Sequence, residues 1–148
     1  MSSHGAADKA MNRFDLQRLA EMRSREAKLL LDANCFEGAF YLAGYAVECA
    51  LKACIAKHTK QFDFPDKRLS GQIYKHDPKE LLKTAGIETE LRTNMNQNRE
   101  LEGNWALVVT WSEESRYEVS KPEETARDFY AAITDSENGI LPWLKKHW

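Results

Sequence analysis

Phe36-Glu-Gly-Ala-Phe-Tyr-Leu-Ala-Gly-Tyr-Ala-Val-Glu-Cys-Ala-Leu-Lys-Ala-Cys-Ile-Ala-Lys-His58 is the stretch that decides the fold of this chain. It is apolar nearly all the way round. At about 100° per residue, the exceptions Glu37, Tyr41, Gly44, Tyr45, Glu48 and Lys52 fall within about 100° of arc. A helix with so thin a polar stripe has no wide face to offer water. It belongs in the middle of a helical bundle, with its stripe turned to a partner, a ligand or a groove.

Working outward, the chain is 148 residues long, which suits one compact domain. Hydrophobic residues make up 43% and charged residues 30%, so both a core and a solvated surface can be built. The formal charge of −2 gives no overall electrostatic pull toward nucleic acid or acidic membrane, although a local basic groove is compatible with it. The three cysteines, Cys35, Cys49 and Cys54, cannot pair within the helix. Cys49 and Cys54 project from nearly opposite sides, and Cys35 and Cys49 are about 21 Å apart if both are helical. Unpaired cysteines among apolar neighbours suit a reducing compartment, so a cytoplasmic location is expected. The start, Met1-Ser-Ser-His-Gly-Ala-Ala, has no apolar signal region. Glu48 and Lys52 interrupt the best apolar run, so no membrane span is expected.

Residues 1–7 are expected to be disordered and 8–148 to form one helical domain. The first helix is expected over about 8 to 33, with Met11, Phe14, Met22, Leu29 and Ala33 as its apolar face and Arg18 and Arg25 at its edge. A break near Asn34 precedes the central helix. Residues 59–75, with the breakers Pro65 and Gly71, read as a long ordered loop over the bundle. Asp77 as N-cap, Pro78 at the first helical position, Glu80 completing a capping box and Gly86 as a left-handed stop define a short third helix. A fourth is expected from about 88 to 112, despite the β-prone Trp105-Ala-Leu-Val-Val-Thr-Trp111, because a lone strand would have nothing to pair with. A loop, Ser112 to Val119, carries Arg116 and Tyr117. Ser120 to Glu123 reads as a capping box for a fifth helix, with Gly139 and Pro142 as breaks beyond it and an amphipathic tail to Trp148. The expected fold is therefore all-α, an up-and-down bundle of about five helices.

Three segments carry a resemblance. The central helix, with Glu48 followed by Ala50-Leu51-Lys52, resembles the signature helix of HEPN domains (higher eukaryotes and prokaryotes nucleotide-binding). His76-Asp77 before Leu81-Leu82, and Arg116-Tyr117 after the fourth helix, agree in order and spacing. The resemblance covers about 10 to 145 of the chain. It implies a small helical bundle, commonly a homodimer, that engages a nucleotide, RNA or a minimal nucleotidyltransferase of a toxin–antitoxin module. Many relatives in that family are metal-independent RNases with an Arg followed, four to six residues on, by His. After Arg116 this chain reads Tyr-Glu-Val-Ser-Lys-Pro-Glu, so the histidine is missing.

Metal-free RNA cleavage needs a base for the 2′-OH, an acid for the leaving oxygen and a cation for the phosphorane. Arg116 supplies only the cation. His76, ahead of a helix N-terminus, is the best substitute base, though as a loop residue it is expected to contact the neighbouring cap. Glu48 and Lys52 have the favourable order of an i, i+4 ion pair, and share one face with Tyr41 and Tyr45. That face reads either as a satisfied polar stripe inside the bundle or as a pocket wall completed by Arg116 and Tyr117. Arg116 has a further option, clamping Glu48 or Glu37. Cys54 and His58 stand at i, i+4, but no second pair completes a metal site, and no cofactor motif is present. The leading expectation is thus a binding or regulatory module. The alternatives are an RNase using Arg116 with His76, and a purely structural dimer.

Overall fold

A computed structural model describes residues 11–59 and 76–148. The expected disordered start and nearly all of the 59–75 loop lie outside the described residues. Among the described residues there are seven α-helices, one 3₁₀ turn and no strand. They are α1 (Arg13–Asp32), α2 (Phe36–Thr59), α3 (Pro78–Ala85), α4 (Glu88–Gln97), α5 (Arg99–Val108), the 3₁₀ turn (Glu113–Tyr117), α6 (Glu123–Thr134) and α7 (Ile140–Lys145). The all-α bundle stands; the helices are more numerous and shorter than the sequence suggested.

The central position of α2 follows from its composition. It packs against α1, α3, α6, α7 and the 3₁₀ turn. Ala39, Ala43, Ala46, Val47, Ala50, Leu51, Ala53 and Ile55 are buried. By length and composition α2 could cross a membrane, yet 72% of its most apolar window is buried inside the bundle. Phe40 meets Phe129 of α6 with ring centroids 4.1 Å apart. Alanines on α2 and Ala20 and Ala27 on α1 keep side chains short, which lets the two long helices lie close.

Helix α1 starts at Asn12, whose side chain and that of Asp15 form a reciprocal capping box. It ends where Asn34 takes φ 61°, a left-handed conformation asparagine tolerates better than most residues. Its orientation corrects the expected apolar face. Met11, Phe14, Met22 and Leu29 are 52%, 53%, 37% and 63% exposed, and Ala33 is exposed too. The buried side is Ala20, Ala27 and Leu31. Burial here followed close approach to α2, which favours small residues, rather than side-chain size.

Helix α3 keeps its expected cap residue, first-position proline and glycine stop, but Asp77 accepts from the N–H of Lys79 and not from that of Glu80, so the expected capping box does not form. Pro78 is first, and Gly86 closes the helix at φ 77°. The expected fourth helix is two. Asn98 leaves helical geometry at φ −145°, ψ 100°, and its side chain caps α5 by accepting from the N–H groups of Glu100 and Leu101. The β-prone run is helical to Val108 and then turns. The capping box at Ser120 does not form: α6 starts at Glu123 with Pro122 in the cap position and no side-chain cap. Glu123 is therefore the first helical residue, two positions too early for the box. Gly139 ends the α6–α7 connection, but Pro142 does not break the chain. It sits in the first turn of α7, where no backbone N–H is needed for the helix ladder. Ile140, Leu141, Trp143 and Leu144 dock the tail on the body.

Candidate functional site

Side chains from three parts of the chain meet on the polar stripe of α2. Glu48 is 2% exposed. Its Oε2 accepts from Lys52 Nζ at 2.8 Å, the ion pair expected from their spacing. The same oxygen lies 2.8 Å from His76 Nδ1, 28 residues along the chain. The other ring nitrogen, Nε2, stands 3.0 Å from Glu113 Oε2 at the start of the 3₁₀ turn. His76 thus spans two carboxylates instead of contacting the neighbouring cap. An imidazolium satisfies both contacts with its two N–H donors. A neutral ring donates to only one of them.

An aromatic wall runs beside this chain of charges. Tyr41 stacks on Tyr45 and on Trp111, in each case with centroids 6.0 Å apart and planes 26° apart. Trp111 lies on α2 at Gly44, where a Cβ would collide with the indole. Trp111 Nε1 is buried there without a hydrogen-bond partner. It faces helical backbone whose carbonyls already serve the i→i+4 ladder. Arg23 of α1 reaches over the Tyr45 ring, 5.9 Å from its centroid.

Arg116 stands at the open edge, fully exposed, 4.9 Å from the Tyr117 ring centroid. Its pKa is raised, chiefly by hydrogen bonding to Tyr117, with smaller contributions from Tyr41 and the charge of Glu113. It clamps neither Glu48 nor Glu37. Burial, followed by the neighbouring Cys49, Glu48 and Tyr41, raises the Tyr45 hydroxyl pKa against the opposing pull of Arg23. Burial is also the main cause that pushes the Cys49 thiol up to about 12, with the Glu48 charge adding to it. Neither group is an acid or base for neutral pH.

The structure therefore brings Tyr41, Tyr45, Glu48, Lys52, His76, Arg116 and Tyr117 to one region. Sequence reasoning missed Glu113, Trp111 and Arg23. Glu113 is one of two adjacent acids, with nothing in its spacing to single it out. Cys54 Sγ lies 3.8 Å from the Leu144 carbonyl, and no cluster of three potential metal ligands occurs among the described residues. Away from this region, a cleft of ≈ 330 Å³ is lined by Asn94, Asn98, Trp143 and neighbours. Two of its polar contacts are internal: Trp143 Nε1 donates to Asn94 Oδ1 at 2.7 Å, and Asn98 Nδ2 donates to Asn138 Oδ1 at 2.7 Å.

Chemically, the region offers a buried carboxylate that fixes an imidazole, a half-buried ammonium, and an exposed guanidinium among tyrosines. That set suits an anion with an attached planar group. No family model, curated protein or solved structure matches the chain.

Proposed function

We propose that this protein is a HEPN-like binding or regulatory module, and that the region beside α2 takes a phosphate-bearing ligand, a nucleotide or RNA. The observation that carries the reading is Arg116. It is fully exposed, lies over the Tyr117 ring and adjoins Tyr41. A guanidinium there can pair with phosphate while tyrosine faces accept a base. Tyr41, Tyr45, Glu48 and Lys52 form the inner wall. In this reading a nucleotidyltransferase is the expected protein partner and a second copy the expected oligomeric mate, as the HEPN resemblance implies.

The expected result is that labelled single-stranded RNA or ATP binds the wild type, and that Arg116→Ala weakens binding about 10- to 100-fold, the worth of one charge-assisted contact. Equal binding by wild type and variant, in a fluorescence-anisotropy titration, would remove the reading.

The His76 geometry favours a second reading, metal-independent RNA cleavage. A buried carboxylate on Nδ1 is the arrangement that aims Nε2 outward as a base. Once Glu113 moved aside, Nε2 would take the 2′-OH proton. The 2′-oxygen would attack phosphorus, and the 5′-oxygen would leave with a proton returned from the imidazolium. Arg116 would offset the phosphorane charge. The same RNA, incubated with chelator, separates the two readings. Cleavage lost in both Arg116→Ala and His76→Ala supports the enzyme; intact RNA that still binds supports the module.

A further inference from the structure

His76 is held on its two ring nitrogens by carboxylates of very different standing. Glu48, on Nδ1, is 3% exposed, belongs to the middle of α2 and also takes Lys52. Glu113, on Nε2, is 40% exposed and is the first residue of the 3₁₀ turn. The inner contact is part of the packed bundle. The outer one is a half-exposed pair, of the kind that holds only weakly against water and salt. Its carboxylate can leave by side-chain rotation alone, because other bonds fix the turn that carries it. Ser112 Oγ accepts from the Glu114 N–H at 3.2 Å, and the Ser112 carbonyl accepts from the Ser115 N–H at 3.0 Å. The Ser115 carbonyl accepts from the Glu118 N–H at 3.1 Å, and Ser115 itself is buried.

The geometry of a 3₁₀ turn decides what stands next to that carboxylate. With three residues per turn, side chains at i and i+3 lie one above the other. Glu113 and Arg116 are such a pair. The Arg116 pKa is raised first by hydrogen bonding to Tyr117, and the charge of Glu113 adds to it. The carboxylate therefore has an imidazole nitrogen at 3.0 Å and a guanidinium one turn above it. These are the two groups an incoming oxyanion would seek. With His76 protonated, Lys52, His76 and Arg116 are three cations facing the two carboxylates Glu48 and Glu113. With Glu113 turned out to water, they face Glu48 alone.

We propose that Glu113 is a built-in competitor, an internal anion that holds the outer nitrogen of His76 until an anionic ligand displaces it. This rests on the reading of the α2 region as an anion site and adds the regulation of that site. The ligand's oxyanion replaces the Glu113 carboxylate on Nε2 and reaches Arg116 from there. Only molecules with Glu113 turned out are competent to bind, so the apparent affinity falls by that fraction. The penalty is the same for every anion. Glu113 thus sets the concentration at which the site fills, not a preference among ligands.

Glu113→Gln keeps the size of the side chain and removes its charge. Labelled ATP and labelled single-stranded RNA should bind this variant about three- to tenfold more tightly than the wild type, by a similar factor for both. Glu113→Asp keeps the charge on the turn but is a methylene too short for Nε2, and should recover most of that gain. Glu114→Gln makes the same change in net charge at the adjacent exposed residue. It should shift binding by less than about twofold at physiological salt, where exposed charges are screened. Equal tightening by Glu113→Gln and Glu114→Gln overturns the proposal, leaving general charge as the cause. So does a Glu113→Asp protein that binds like the wild type. Weaker binding by Glu113→Gln overturns it in favour of a carboxylate that contacts the ligand directly. Unchanged binding by Glu113→Gln, where Arg116→Ala weakens it, overturns the competitor and keeps the anion site. No binding by either the wild type or Glu113→Gln removes the anion site and the competitor together.

Discussion

Glu48→Ala is expected to lower the stability of the fold by about 2–4 kcal/mol, measured as the shift in urea unfolding midpoint at constant slope. The carboxylate is 3% exposed and has both Lys52 and His76 on one oxygen. Removing it leaves a void in α2 and two donors without their acceptor. The upper limit for breaking a buried pair is not reached, because Lys52 and His76 are 18% and 38% exposed and can turn to water. Glu48→Gln should cost less, since it keeps the shape and an acceptor oxygen. Its larger effect should fall on whatever the His76 ring does. A Glu48→Ala protein within about 0.5 kcal/mol of wild type would mean that the three-way contact contributes nothing to folding.

The second large effect is expected at Gly44. Replacing a helical glycine by alanine normally gains about 1 kcal/mol from propensity. At Gly44 the added methyl enters the indole of Trp111, which is 3% exposed and stacked with Tyr41. Overpacking of a filled core costs about 1–3 kcal/mol, and here it should exceed the propensity gain, so Gly44→Ala is destabilising and Gly44→Val more so. Gly103, within α5, has nothing within 4 Å of its missing Cβ. Gly103→Ala should therefore stabilise the protein by up to about 1 kcal/mol. The two identical substitutions, opposite in sign, separate steric fit from helix propensity. Pairing Gly44→Ala with Trp111→Leu should recover part of the loss, giving a non-additive double-mutant cycle. Additive effects would show that the indole is not what the methyl meets.

These two sites also mark how far the sequence could be read. Glu48, Lys52, Tyr41 and Tyr45 share a face because helix geometry alone puts them there, so the inner wall was legible. The burial of α2 was legible for the same reason: its composition leaves no alternative. His76 and Glu113 were not, because their meeting depends on where the chain returns after α2 and on the direction of a 3₁₀ turn. Neither leaves a local pattern. Periodicity picked out a stripe of large apolar residues on α1 as its core face, but that stripe points outward. A helix with Ala20 and Ala27 on one side and Met22 and Leu29 on the other has two candidate faces. Contact with an alanine-lined neighbour selected the smaller side chains. The break at Asn98 was missed because asparagine is merely a poor helix former until its side chain finds the two N–H groups it caps.

The distribution of thiols has a practical meaning. Cys35 is exposed at the corner between α1 and α2, while Cys49 and Cys54 are buried and both pushed up to about 12, chiefly by that burial. Thiolate is the form that reacts with maleimides, so at ordinary labelling pH the native protein offers a single chemical address. A dye attached there sits at the C-terminal end of α1, and it can report on the approach of any binding partner without a cysteine having been added or removed.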